Sequence, residues 1–118
     1  MDGFKFLQFK VYRDAKCFKK EVEGLLKKPL FRYKFVLHDQ LQRSLYSIIL
    51  NIAEGSSRRS DRDFRRFLLI SLGSLNEVVA CLDDLNDARM ISKKEFEIFI
   101  DKAQNIARQL SGFIKTLS

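Results

Sequence analysis

The sequence predicts an all-α protein, an antiparallel up-down-up-down four-helix bundle, on three observations. Apolar residues recur at steps of three and four along four separate segments, the spacing that lines one face of a helix. Two of those segments open on a serine with a carboxylate three residues later, Ser60–Asp63 and Ser92–Glu95, as helix N-caps do. One proline and five glycines supply too few turn residues for an all-β chain. At 118 residues, 46% hydrophobic and 31% charged, the chain suits a single domain over residues 1–118 with a real core.

Residues 1–9 alternate Phe4, Phe6 and Phe9 with polar neighbours, which reads as an extended arm lying along the bundle or a neighbouring subunit. The first helix is predicted over 10–27. Its seam is Val11, Ala15, Phe18, Val22 and Leu25, and Lys10, Arg13, Lys16, Lys20 and Lys27 form a basic stripe on another face. Pro29 stops it, since proline lacks an amide donor and restricts the residue before it. In the connection that follows, Leu30, Phe31 and Tyr33 are too apolar for a loose linker and are expected to fold over the bundle end.

The second helix is predicted over 35–54, with Leu41, Leu45, Ile48, Ile49 and Ile52 inward. Gly55 then sits where a helix C-terminus favours positive φ. Ser60 caps the third helix, predicted over 61–87, whose apolar face is Phe64, Phe67, Leu68, Leu72 and Leu75. Pairing these helices about Ser57–Arg58 sets Asn51 near Phe64, Ile48 near Phe67, Ser44 opposite Ser71 and Leu41 opposite Ser74. Small residues at such a seam let helices approach closely. Gly73, which costs about 1 kcal/mol inside a helix, calls for a packing reason. Asn51 and Glu54 are read as ties between the hairpin turn and backbone amides or arginines, with a catalytic or ligand-binding pair as the alternative. The fourth helix, predicted over 93–117, carries Phe96, Phe99, Ala103, Ile106, Leu110, Phe113 and Leu117 in heptad spacing. A second row, Ile100, Ala107 and Ile114, exceeds what one core needs and points to a subunit contact.

Charge is unevenly placed. The formal net charge is +7. Residues 1–66 hold 16 Lys/Arg against 8 Asp/Glu, and residues 67–118 hold 6 against 7. The stretch 42–77 contains Arg43, Arg58, Arg59, Arg62, Arg65 and Arg66 and no lysine; arginine's fork of donors suits phosphate. With Arg13, Lys16 and Lys20 these form the predicted nucleic-acid face, for RNA or DNA, read electrostatically because no base-reading motif is present. The alternatives are a scaffold whose basic face docks an acidic partner, complementary subunit edges, and a merely solvated surface.

No catalytic chemistry is legible. The glycines are scattered rather than gathered into a phosphate loop, and the bundle di-metal pattern Glu-x-x-His is missing. His38 has no ligand-spaced partner and reads as a boundary residue. Asp83, Asp84 and Asp87 read as a solvated face or as partners for a neighbour's cations, with a divalent-ion site as the alternative. The expectation is no enzyme, no cofactor and no metal. Cys17 and Cys81 read as buried thiols in a reducing cytoplasm, a disulfide or a reactive pair being the alternative. No segment approaches the roughly 20 apolar residues of a membrane span, and the N-terminal residues lack a secretory pattern. A cytoplasmic protein without a membrane partner is expected.

The run Asn51-Ile52-Ala53-Glu54-Gly55, then Arg59-Ser60, Asp63-Phe64-x-x-Phe67-Leu68 and Gly73-Ser74-Leu75-x-Glu77 resembles the bacterial four helix bundle protein family. Those proteins are encoded in intervening sequences of 23S rRNA genes and are related to the accessory variability protein of diversity-generating retroelements. The family's "LRRAAxSIxxNIAEG" is matched from Leu41, with Gln42, Ser44 and Leu45 where Arg, Ala and Ala are typical. Its "LxVWQKA" is echoed by Phe9–Ala15, with Tyr12 for tryptophan. The resemblance covers roughly residues 6–91. It marks Asn51, Glu54, Gly55, Ser60, Gly73 and Ser74 as motif positions. It implies a homo-oligomer, in relatives a pentameric ring, and a structured RNA, or RNA and DNA held near a reverse transcriptase, as partner.

Overall fold

The computed structural model describes residues 3–31 and 34–117. Four helices form the bundle: α1 (Lys10–Leu26), α2 (Phe35–Ser56), α3 (Asp61–Asp87) and α4 (Lys93–Thr116). Successive helices pack on one another, and α1 closes the ring against α4. α1 and α3 therefore stand on a diagonal. The molecule measures 44 × 22 × 21 Å, its length matching the roughly 40 Å of a 27-residue helix such as α3. Among the described residues there is no strand, and no helix is long and apolar enough to cross a membrane.

The caps fall where the sequence places them. Ser60 Oγ accepts from the Asp63 amide at 3.1 Å. Ser92 and Glu95 make the full reciprocal box, both bonds at 3.0 Å. At the end of α3 the Met90 amide donates to Leu85 and the Arg89 amide to Asn86. Arg89 holds φ 59°, the left-handed position that usually takes glycine. The core runs the length of the bundle, from Leu25, Leu26 and Phe31 at one end to Phe64 and Leu110.

Several expectations need correcting. Residues Lys5–Gln8 form a 3₁₀ turn rather than an extended arm, because folding back packs Phe6 on Tyr12 and Phe9 on Phe64 and Phe113. α2 continues through Gly55 to Ser56, and no glycine has positive φ. Ser56 and Ser57 hydroxyls cap the last turn instead, donating to the Ala53 and Glu54 carbonyls. Gly55 matters for space: a Cβ there would lie 2.8 Å from Phe67 Cβ and 2.9 Å from Phe64 Cδ1. Because α2 runs further, the α2–α3 register moves by about a turn. Ser71 Oγ donates to the Ile48 carbonyl (2.8 Å), Ser74 Oγ to Ser47 Oγ (2.6 Å) and Ser44 Oγ to Glu77 (2.9 Å). Ser44–Ser71 and Leu41–Ser74 are not the pairs.

Gly73 is exposed, and nothing lies within 4 Å of a Cβ built on it; the structure gives it no packing role within the chain. Cys17 is exposed and Cys81 half-buried, both free thiols. Burial, helped by Glu77 and Asp84, pushes the Cys81 thiol's pKa up. In the α1–α2 connection Phe31 is buried as expected while Leu30 is exposed. Tyr33, assigned there to the bundle end, lies outside the described residues. On α4 the second row is half-buried, with Ala107 and Ile114 packed against the protomer's own core. The more exposed large apolar residues include Leu50, Leu69 and Ile70 on α2 and α3.

Candidate nucleic-acid interface

The basic tip is built by the end of α2, the turn at 57–60 and the first two turns of α3. Arg58, Arg59, Arg62, Arg65 and Arg66, with Ser57, Ser60, Asp63 and Leu69, line one open groove of about 960 Å³. The cap at Ser60 fixes where α3 starts, so Arg62, Arg65, Arg66 and Leu69 follow at helical spacing on its outer side.

The five arginines divide into two sets. Arg58 pairs with Glu54 and, at 3.7 Å, with Asp63. Arg66 pairs with Asp63 at 2.9 Å. Both guanidiniums also lie against the half-buried Phe67 ring, 4.6 and 4.5 Å from its centroid, a placement that adds cation–π attraction. Asp63 thus turns its carboxylate to these arginines rather than back to the Ser60 amide. Arg59, Arg62 and Arg65 are exposed and make no ion pair among the described residues. Three cations face solvent unneutralised.

The other residues assigned to this face lie elsewhere. Arg43 pairs with Asp39, fifteen residues before Arg58 and so roughly 20 Å along α2. Arg13, Lys16 and Lys20 are exposed, make no ion pair among the described residues, and line a separate groove with Cys17, Lys19, Glu23 and Ile49. Because α1 and α3 are diagonal, the structure makes two basic surfaces rather than one. Periodicity within each helix could not show this, since it depends on which helices are neighbours.

The motif polar residues serve the α2–α3 seam. Asn51 Nδ2 donates to the Ser47 carbonyl (2.7 Å) and hydroxyl (3.0 Å), and so does not tie the turn to a backbone amide. Glu54 does hold a turn arginine, Arg58. The sequence reading missed Ser47, Gln40 and Glu77 as seam residues: Gln40 and Ser44 both donate to Glu77. Glu77 at a fixed distance after Gly73-Ser74 was the available signal. Among the described residues no group of three His, Cys, Asp or Glu side chains could hold a metal ion.

Fold and tip together define an all-α four-helix bundle with a basic helical-hairpin end. A family profile described as "23S rRNA-intervening sequence protein" matches residues 7–112, and the chain belongs to that family. It is similar to a solved protein of unknown function from the S23 ribosomal protein family of Bacteroides thetaiotaomicron VPI-5482. The two share 29% identity with a TM-score of 0.81, over 89% of this chain and 98% of the other. No curated protein matches significantly.

Proposed function

We propose that this chain is a non-enzymatic, cytoplasmic nucleic-acid-binding protein that works as a homo-oligomer, with structured RNA its foremost ligand. The observation that carries the reading is the set Arg59, Arg62 and Arg65, exposed and unpaired around one groove. Unpaired arginines crowded together repel one another, and a phosphate chain relieves that repulsion while filling their donors. Family membership supports RNA as the ligand, either an rRNA insertion or a template RNA near a reverse transcriptase.

Self-association has its own support. Leu50 and Ile70, 58% and 41% exposed, each lie about one turn from the Ser47–Ser74 contact on the outer side of the hairpin, with exposed Gly73 beside them. An apolar strip with a glycine gap suits a second copy better than the half-buried second row of α4 does. A ring of such copies would repeat the tip, and weak sites would add through avidity. The resemblance, rather than the geometry, suggests five copies.

The test is charge reversal of the unpaired set. Arg59→Glu, Arg62→Glu and Arg65→Glu together should abolish RNA binding in an anisotropy titration, with the oligomer unchanged by light scattering. If RNA still binds, the tip is not the nucleic-acid site. Should the oligomer dissociate instead, these arginines belong to a protein interface.

A further inference from the structure

Resting on that reading, we propose that the tip takes double-helical nucleic acid by its phosphates and discriminates against single strands. A duplex carries about twice the axial charge density of one strand. Proteins that hold single strands tightly add aromatic faces on which bases stack, worth roughly five- to a hundredfold per base. The tip supplies the charge and withholds the faces.

The rings beside the cations are already engaged. Phe64 is 9% exposed, stacked on Phe9 and edge-on to Phe113. Phe67 is half-buried and touched by both Arg58 and Arg66. The α1 surface repeats the arrangement: Lys16 stands 5.5 Å from the Tyr12 centroid and Lys19 4.0 Å from that of Tyr46. A base stacking there would have to displace the lysine that covers the ring, and Lys19 is further held by Glu23 at 2.9 Å. Phe4 is 60% exposed, but its groove is lined by Lys5 and Glu54, one charge of each sign, with Leu50 and Asn51. It gives a strand no attraction toward that ring.

The unpaired arginines fit a phosphate row instead. Arg62 and Arg65, one turn apart on α3, and Arg59 in the turn share the groove, and its apolar lining residue is the aliphatic Leu69. Arg58 and Arg66, anchored by Glu54 and Asp63, hold the rim in place, so less side-chain freedom is lost on binding than with five free arginines.

Anisotropy titrations of the full chain against a short RNA duplex, the DNA duplex of the same sequence and each separate unstructured strand test this. Both duplexes should bind about tenfold or more tightly than the strands at low salt. With three phosphates neutralised per tip, log affinity for duplex should fall with log salt at about −2.7 per engaged tip. Phe4→Ala should leave every affinity unchanged. Strands that bind as tightly as duplexes, or a selective loss of strand binding in Phe4→Ala, would overturn the duplex preference while leaving the nucleic-acid reading intact. If no probe binds, that reading fails and this one with it.

Discussion

The α2–α3 seam and the α1–α4 seam solve the same packing problem in opposite ways. Between α2 and α3 small residues set how closely the helices approach: Gly55, Ser44, Ser71 and Ser74 are buried, and hydroxyls bond directly across the seam. Between α1 and α4 the space is filled by rings, Phe18 edge-on to Phe99 at 6.4 Å, and the rim is closed by polar pairs. Asn105 and Gln109 donate to Asp14, and Lys102 pairs with Glu21. A seam of small residues fails when atoms are added. A seam of rings fails when they are removed.

The largest effect should therefore come from deletion on the ring side. Phe18, 2% exposed, cut to alanine should cost about 3–5 kcal/mol in denaturant unfolding. Ser71→Ala, which removes only a hydroxyl bonded to Ile48, should cost about 1 kcal/mol. Equal costs would break the contrast. Addition gives the next test. Gly55→Ala places a methyl 2.8 Å from Phe67 Cβ, an atom tied to the backbone that cannot swing away. Overpacking outweighs the better helix propensity, for a net loss of about 1–2 kcal/mol. Gly73→Ala, with nothing within 4 Å, should instead stabilise the protomer by about 0.5–1 kcal/mol. The same substitution with opposite signs at two glycines of one hairpin sharpens the point.

The smallest effect is in acid. The Lys10 hydrogen bond, with Gln109, holds the Asp14 pKa below its ordinary 3.8, and Lys28, with the Ser92 amide, holds Glu95 below 4.5. Lys19 does the same for Glu23. Folded-state pKa values below the unfolded ones stabilise the fold fully above the unfolded values, and that contribution is lost as pH falls from those values down through the folded ones. The melting temperature should thus decline on acidification below about pH 4.5, modestly because these pairs are partly exposed. Asp14→Asn should flatten part of that decline.

Much of the fold was legible in the sequence because caps and heptads are local. Ser60 and Ser92 set the starts of α3 and α4, and each helix runs over nearly the span its pattern predicts. What was illegible depends on partners. The α2–α3 register turned on how far α2 continues past Gly55, which the Ser56 and Ser57 hydroxyls decide. Gly55 was singled out for its φ, yet Phe64 and Phe67 across the seam explain it. The arginines could be named from the sequence. Their division into paired and unpaired sets could not, because Asp63's choice between the Ser60 amide and two guanidiniums is settled only in three dimensions.

The contact of Phe9 with Phe64 and Phe113, ring centroids 5.2–6.5 Å apart, carries a practical consequence. It brings the start of α1 and the last turns of α4 together at the end of the bundle where α3 begins. A short flexible linker joining the segments outside Phe9 and Phe113 would close the chain into a circle. New ends could then be opened in the α1–α2 connection at the far end with all four helices kept. A tag inserted close to Phe9 or Phe113 would lie at the same end of the bundle as the start of α3 and its arginines. An acidic tag there would compete for the arginines of the groove, and a permuted chain tagged at the far end would leave them clear.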